Sequence, residues 1–252
     1  MTDNHTDPLT GLLAGLAADP PAALLDRVAA RHVHVPGPLP GLQVAYTDHG
    51  VAFLRAGMDE ETFTLAFRER FARPLLPASR PPAGLVPALR TGRLGSLPLD
   101  LRGLTPFEAD VLRATAAIPR GQVRPYAWVA GRAGRPKAVR AVGSALGRNP
   151  VPLLIPCHRV TRSDGTIGQY VFGDQAKEQL LRAENVDLDA LADLARRGVH
   201  YLASDTTGIV CHPTCADARR ITPAHRHGFR TLTAARQAGY RPCRHCHPDG
   251  GT

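Results

Sequence analysis

The five cysteines of this 252-residue chain divide into a group of four and a single one, and this division constrains the fold more than any other feature. The four form two close pairs in the C-terminal part: Cys211, Cys215, Cys243 and Cys246. Two short cysteine knuckles predict a structural zinc site, which can hold together a segment too small to rely on its own core. Cys157 stands alone before His158, a pattern typical of a nucleophile or of a buried structural cysteine.

Three histidines lie close enough to the knuckles to replace a cysteine as ligand: His212, His245 and His247. With four cysteines at hand, we expect a closed site made of the four thiolates alone. The wide separation of the two knuckles favours zinc over an iron–sulfur cluster. The cofactor predicted from the sequence is therefore Zn²⁺.

The formal net charge is +9, and its distribution indicates nucleic acid as a partner. No acidic residue occurs between Asp110 and Asp164, whereas ten Arg or Lys do, and residues 196–252 carry nine Arg against three acids. Such acid-free basic stretches are typical of surfaces that contact phosphates, although a merely basic soluble surface is the alternative. Only two of the basic residues are lysines, Lys137 and Lys177.

The chain shows no apolar run long enough to span a bilayer and no secretory signal at its start, so we expect a cytoplasmic protein with reduced thiols and no membrane partner. Changes in composition predict three domains: residues 1–95, 96–190 and 196–252. In the first, the patterns predict one helix, or two interrupted by Pro20-Pro21, over 12–33, a hairpin over 42–54 and a helix over 60–71. The Pro- and Gly-rich segment 73–97 is typical of a linker or irregular connection.

A helix-turn-helix is predicted in the second domain. Thr105-Pro106-Phe107-Glu108 forms a capping box that starts a helix. Two short helices over 126–133 and 136–146 then flank a Gly-containing turn, and the second would face DNA. Its pattern buries Ala138, Val142 and Ala145 or Leu146 and exposes Lys137, Arg140 and Ser144.

Cys157 is expected at the end of a short buried strand, Leu153–Ile155, which follows an extended Asn149–Pro152 segment. A further helix is predicted over 174–185. Glu184 falls on its apolar face with Ala176 and Leu180, where a carboxylate is costly unless it is paired. Glu184 is therefore a candidate functional group.

The segment Asn149-Pro-Val-Pro-Leu-Leu-Ile-Pro-Cys157-His-Arg-Val160 resembles the active-site segment of the O6-alkylguanine-DNA alkyltransferases. Residues 98–107, 135–142 and 179–184 are also similar to that family, so the resemblance covers roughly residues 40–186. It implies single-turnover transfer of an alkyl group from guanine O6, or from O4 of alkylthymine, to Cys157. It also implies an α/β N-terminal domain followed by a mainly helical, winged-helix-like domain.

The resemblance further implies a role for individual residues. His158 would deprotonate Cys157 through a water, Glu184 would orient His158, Asn149 would brace the cysteine turn, and Tyr126 would donate to guanine. Arg140 would fill the stack after base flipping, on a DNA-binding helix that also carries Arg135, Lys137 and Ser144. Val171 departs from the serine or arginine usual after Gly168-Gln169-Tyr170, which removes a polar contact from the loop that closes over guanine.

Residues 206–215 and 238–249 resemble the metal-binding domain of the Ada adaptive-response proteins, which implies a small α+β zinc domain here. In that family the first zinc cysteine accepts methyl from DNA phosphotriesters, so Cys211 is a candidate second acceptor. His212 replaces the family's usual arginine, and one extra residue separates Cys215 from Arg219-Arg220. A structural or DNA-anchoring role is the alternative.

The sequence thus predicts a monomeric DNA repair alkyltransferase that acts on double-stranded DNA containing alkylated guanine. One alternative is a non-enzymatic protein that binds alkylguanine lesions, which the presence of Cys157 disfavours. The other is a DNA-binding regulator that responds to methylation or zinc, which the absence of a second regulatory module disfavours.

Overall fold

The computed structural model describes residues 24–250, and the part of the predicted first helix over 12–23 lies outside them. The N-terminal part of the chain forms a four-stranded sheet of order β3-β2-β1-β4 with helices packed on it. Its elements are α1 (Leu24–Val28), β1 (Ala30–Val35), β2 (Leu42–Thr47), β3 (Gly50–Arg55), α2 (Glu60–Phe71), β4 (Leu75–Pro77) and α3 (Leu85–Thr91).

The predicted hairpin and the helix over 60–71 are both present. Gly50 begins β3 with φ of 131°, and a Cβ there would lie 2.4 Å from the carbonyl oxygen of Pro98, so the turn requires glycine. Asp59 caps α2 by accepting from the Thr62 amide at 2.7 Å. Phe63 and Phe67 are fully buried against the sheet.

Two N-terminal predictions are wrong in part. The last residues of the predicted helix over 12–33 belong to strand β1 instead. This strand pairs antiparallel with β2, and the pairing buries Val33 and Val35. The predicted linker over 73–97 contains β4, which pairs in parallel with β1, and the helix α3. Gly84 and Gly92 flank α3 with positive φ, so these glycines mark helix ends.

The central part is mainly helical. Its elements are α4 (Pro106–Ala116), β5 (Arg124–Pro125), α5 (Tyr126–Arg132), α6 (Val139–Gly147), a 3₁₀ turn (Cys157–Arg159), β6 (Val160–Thr161), α7 (Asp174–Ala183) and α8 (Leu188–Arg196). The predicted capping box is present, with the Glu108 amide donating to Thr105 Oγ1 and the Thr105 amide donating to Glu108 Oε2.

The helices α5 and α6 pack against each other and against α4, as a helix-turn-helix requires. The second helix begins at Val139 rather than at Pro136, because Arg135–Ala138 forms a hydrogen-bonded turn first. Val142, Ala145 and Leu146 are buried on its inner face, as predicted. Ala138, which was also predicted to be buried there, precedes the helix as its N-cap and is only partly buried.

The predicted buried strand Leu153–Ile155 is a tight turn instead. Leu153 has φ of 74°, in the left-handed region, and Pro152 and Ile155 form an isolated bridge. The turn reverses the chain immediately before Cys157, which lies in the 3₁₀ turn that leads into β6.

The C-terminal part has a four-stranded sheet of order β10-β8-β7-β9. Its elements are β7 (Tyr201–Ser204), β8 (Ile209–Cys211), α9 (Ala216–Arg219), a 3₁₀ turn (Pro223–His225), β9 (Arg226–Phe229), α10 (Leu232–Gln237) and β10 (Arg241–Pro242). The α+β character predicted for this part is present. Across residues 24–250, no helix has the length and apolarity needed to cross a membrane.

Candidate active site and metal centre

Cys157 is held by the side chain of Asn149. Asn149 Nδ2 donates to Cys157 Sγ at 3.3 Å and to the Ile155 carbonyl at 2.9 Å, while its Oδ1 accepts from the Val151 amide at 3.0 Å. All three bonds are buried. They span both ends of the turn that contains Leu153, so Asn149 fixes the direction in which the sulfur points.

Burial raises the pKa of the Cys157 thiol, while the Asn149 hydrogen bond and the charge of Lys177 lower it. Lys177 is itself completely buried, and its Nζ donates to the Val160 carbonyl at 2.6 Å. Burial lowers the Lys177 pKa to about 8. Because the opposing effects leave the thiol pKa raised, Cys157 needs a base before it can attack as a thiolate.

A buried ion-pair network lies directly after the cysteine. Glu184 Oε1 is 3.1 Å from His158 Nε2 and 2.8 Å from an Arg159 guanidinium nitrogen, and its Oε2 accepts from Arg159 Nε at 2.9 Å. A carboxylate only accepts, so His158 Nε2 carries the proton and Nδ1 keeps its lone pair. Nδ1 is buried with no hydrogen-bond partner among the described residues.

The electrostatics of this network keep Glu184 ionised. Burial by itself raises the Glu184 pKa, but the hydrogen bonds from His158 and Arg159 bring it down to about 2. Burial lowers the pKa of His158, with Glu184 opposing that effect. His158 is therefore neutral at pH 7 and has a free basic nitrogen.

Gly121 closes the network from the loop after α4. Its amide donates to Glu184 Oε2 at 3.1 Å, and its φ is 74°. A Cβ at this position would lie 2.8 Å from the Glu184 carbonyl oxygen, so the close approach requires glycine.

Cys157 lines a cleft of about 660 Å³ between α5, α6 and the loop before α7. The cleft is also lined by Tyr126, Arg140, Tyr170 and Val171. Burial raises the Tyr126 pKa, so its hydroxyl remains a donor at neutral pH. Val171 is exposed and contributes an apolar part of the cleft wall.

The four residues predicted to bind DNA lie on the outer side of the helix-turn-helix. Arg135, Lys137, Arg140 and Ser144 are all exposed, and they follow one another through the turn and along α6. Arg140 is the member of this set that also lines the Cys157 cleft.

The four cysteines of the C-terminal part form one buried cluster. The Sγ atoms of Cys211, Cys215, Cys243 and Cys246 all lie within 4.8 Å of one another. Tetrahedral coordination with Zn–S bonds of about 2.3 Å places sulfurs about 3.8 Å apart, so the cluster fits zinc. Four thiolates are a donor set that zinc prefers, and this cluster is a zinc-binding site.

The three alternative histidines lie outside this cluster of four. His212 is buried with Nε2 unpartnered among the described residues, and its amide donates to Cys246 Sγ at 3.4 Å. His245 pairs with Asp217 at 2.6 Å, and these two form a smaller group of possible ligands with Cys243. Cys211 also borders a surface cleft of about 480 Å³ that contains Arg220 and Thr222.

Two buried basic residues near Cys157, Arg159 and Lys177, were not among the site residues predicted from the sequence. Arg159 was hidden because arginine is usually exposed, whereas here it is buried and bonded to Glu184 and to the Ile118 carbonyl at 2.7 Å. Lysine is rare in this chain, and that rarity was the sequence signal that could have marked Lys177 as a candidate site residue.

These features define a protein with a buried cysteine that lines a cleft beside a helix-turn-helix, followed by a zinc domain. Residues 106–186 match the family model "6-O-methylguanine DNA methyltransferase, DNA binding domain", and residues 190–249 match "Metal binding domain of Ada". The structure resembles that of Mycobacterium tuberculosis OGT in complex with DNA, with a TM-score of 0.52 and 30% identity, over 65% of this chain and 99% of that one.

Two curated relatives are similar to parts of this chain. The bifunctional transcriptional activator/DNA repair enzyme Ada of Escherichia coli is 49% identical over 35% of this chain and 25% of its own length. The methylated-DNA–protein-cysteine methyltransferase of Salmonella typhimurium is 51% identical over 32% of this chain and 48% of its own length. This chain therefore spans from a quarter to about half of these curated relatives. It belongs to the methylated-DNA–protein-cysteine methyltransferase family and carries an Ada-type zinc-binding domain.

Proposed function

We propose that this protein repairs DNA directly, by moving the alkyl group of O6-alkylguanine to Cys157 in a single turnover. The observation that carries the proposal is the position of Cys157 Sγ, which faces a cleft, is bonded to Asn149 and is followed by the His158–Glu184 pair. The sulfur forms a bond to the alkyl carbon as the carbon–O6 bond breaks. Since no step regenerates the thiol, each molecule acts once.

The proton of Cys157 passes to His158 Nδ1 through a water. Glu184 holds the opposite ring nitrogen, which fixes the tautomer and stabilises the imidazolium that forms. Arg159 and Gly121 hold Glu184 in turn. This arrangement supplies the base that the raised thiol pKa demands.

Tyr126 stabilises the leaving guanine. Its hydroxyl lines the same cleft and stays protonated, so it can donate to the base as negative charge develops there. Asn149 keeps the sulfur aimed at the cleft through its bond to Cys157 Sγ and its two bonds to the turn.

We assign DNA binding to the turn and outer face of α6. Arg135, Lys137 and Ser144 contact the backbone of double-stranded DNA, while Arg140, which borders the cleft, takes the place of the flipped base. Few base contacts are needed for this task, so sequence specificity is low. The protein acts as a monomer in the cytoplasm, with the domain limits 1–95, 96–190 and 196–252.

A second acceptor at Cys211 is favoured by its position beside the surface cleft that contains Arg220. A zinc-bound thiolate remains deprotonated at neutral pH, and a guanidinium beside it suits a DNA phosphotriester. The competing role for this domain is structural, with zinc holding the two knuckles together.

The test is stoichiometry. Protein and an excess of duplex containing O6-methylguanine are incubated, and the remaining lesion is measured by chromatography. We expect one lesion lost per protein and none with Cys157→Ser. Tight binding without any loss would instead establish a non-enzymatic lesion-binding protein. Duplex with a methylphosphotriester tests Cys211, and an unmodified Cys211 would leave zinc there a structural role.

A further inference from the structure

A buried arginine of the helix-turn-helix part lies against the zinc-binding cluster. Arg124 is 2% exposed and is among the largest fully buried side chains. Its guanidinium donates to the Val123 carbonyl at 2.8 Å, to Gln122 Oε1 at 2.5 Å and to Thr214 Oγ1 at 3.4 Å. All three acceptors are neutral, so none of these bonds balances the charge of Arg124.

Thr214 lies within the Cys211–Cys215 knuckle, so this hydrogen bond holds the Arg124 guanidinium beside the zinc-binding cysteines. All four cluster cysteines act on Arg124 through space and raise its pKa, against the larger lowering effect of burial. Zinc bound by four thiolates has a net charge of −2, and burying that charge is costly unless a cation lies nearby. Asp217 Oδ2 lies 3.2 Å from Cys243 Sγ and is paired with His245 at 2.6 Å.

The contacts around Arg124 join the two parts of the chain. The Val123 amide donates to Thr214 Oγ1 at 2.9 Å. Trp128 Nε1 donates to the carbonyls of Cys246 and His247 at 3.0 and 2.9 Å, and Arg219 donates to the Gly121 carbonyl. The zinc knuckles are therefore docked on residues 121–128.

This docking surface is continuous with the active site. Arg124 and Pro125 form β5, which pairs in parallel with β6 directly after the Cys157–Arg159 turn. Tyr126 follows β5 without a break, and Gly121 bonds Glu184. The residues that contact the zinc knuckles and the strand that precedes Tyr126 thus belong to one continuous segment.

We propose that Arg124 is a positioning residue for the zinc site, supplied by the helix-turn-helix part as the counter-charge of the zinc thiolates. The zinc site is then composite, and zinc binding and docking of the two parts stabilise each other. Since Arg124 is not a zinc ligand, it acts through the cysteines.

The first test measures zinc affinity of the full-length protein by competition with a chelating indicator. Arg124→Gln is expected to weaken zinc binding about 10- to 100-fold, the usual effect of losing a group just outside the ligands. Arg113→Gln removes the same charge from an exposed site, 74% accessible, and should leave the affinity unchanged. Arg124→Lys, which keeps the charge, should rescue most of the loss. Equal losses in both Arg124 variants would overturn the counter-charge role.

The second test uses the wild-type protein and does not depend on a variant folding. Trp128 is the only tryptophan of the chain and lies at the junction, so its fluorescence reports docking. Removal of zinc by a chelator should shift its emission to longer wavelength, and added Zn²⁺ should reverse the shift. Unchanged emission on complete zinc removal would refute the coupling.

Discussion

Replacing Glu184 with glutamine removes the charge at the centre of the network behind Cys157. Burial alone would raise the Glu184 pKa, yet hydrogen bonds from His158 and Arg159 bring it to about 2, from 4.5. A difference of about 2.5 pKa units corresponds to about 3 kcal/mol of folding free energy. The substitution also leaves Arg159, which is only 3% exposed, without a balancing charge. Breaking a buried ion pair in this way costs about 3–5 kcal/mol of folding free energy, which is a similar figure.

The pH dependence has a definite sign. The Glu184 pKa is depressed on folding, so its contribution is present above pH 4.5 and is lost as pH falls toward 2. Wild type should therefore lose about 3 kcal/mol more unfolding free energy between pH 5 and pH 2 than Glu184→Gln does.

Urea unfolding at a series of pH values measures this difference. Glu178→Gln is the matched control, because Glu178 is on α7, the helix that Glu184 caps, and forms an exposed pair with Arg182. Its curve should follow that of wild type within about 0.5 kcal/mol. If wild type and Glu184→Gln gave parallel curves over this range, the network would not hold Glu184 ionised in the folded state.

Three further variants test the other parts of the site. Asn149→Ala should lower the unfolding free energy in urea by about 2 kcal/mol, because it leaves the buried Val151 amide unpaired and the Ile155 carbonyl with the Cys157 amide as its remaining donor, and a loss below about 1 kcal/mol would contradict the bracing role. Tyr126→Phe should slow methyl transfer about 10²- to 10³-fold in a quenched-flow assay while lesion binding is retained, since it removes one donor to the leaving base. Arg140→Ala should leave stability within about 0.5 kcal/mol but weaken lesion-duplex binding about tenfold in fluorescence anisotropy, and unchanged binding would place the DNA elsewhere.

Features set by local sequence could be predicted. The capping box before α4, the hairpin with Gly50 at its turn and the buried face of α6 all follow from residues a few positions apart. The pairing of the knuckle cysteines could be predicted for a similar reason, since each pair lies within one short turn.

Features that depend on contacts between residues far apart in the sequence could not be predicted. The tight turn at Leu153 looks like a strand in hydropathy, and it exists because Asn149 bonds both its ends. Strand β4 is defined by its pairing with β1, which lies much earlier in the chain. Arg124 and Arg159 are buried against partners that are distant in sequence, where composition alone predicts exposed arginine.

The central claim is that the sulfur of Cys157 receives the alkyl group. The most direct measurement is peptide mass spectrometry of the protein after incubation with duplex DNA containing O6-methylguanine. The account predicts that the peptide containing Cys157 gains the mass of a single methyl group in exchange for the thiol hydrogen. A repaired lesion with the methyl on another residue, or an intact lesion beside unmodified Cys157, would contradict it.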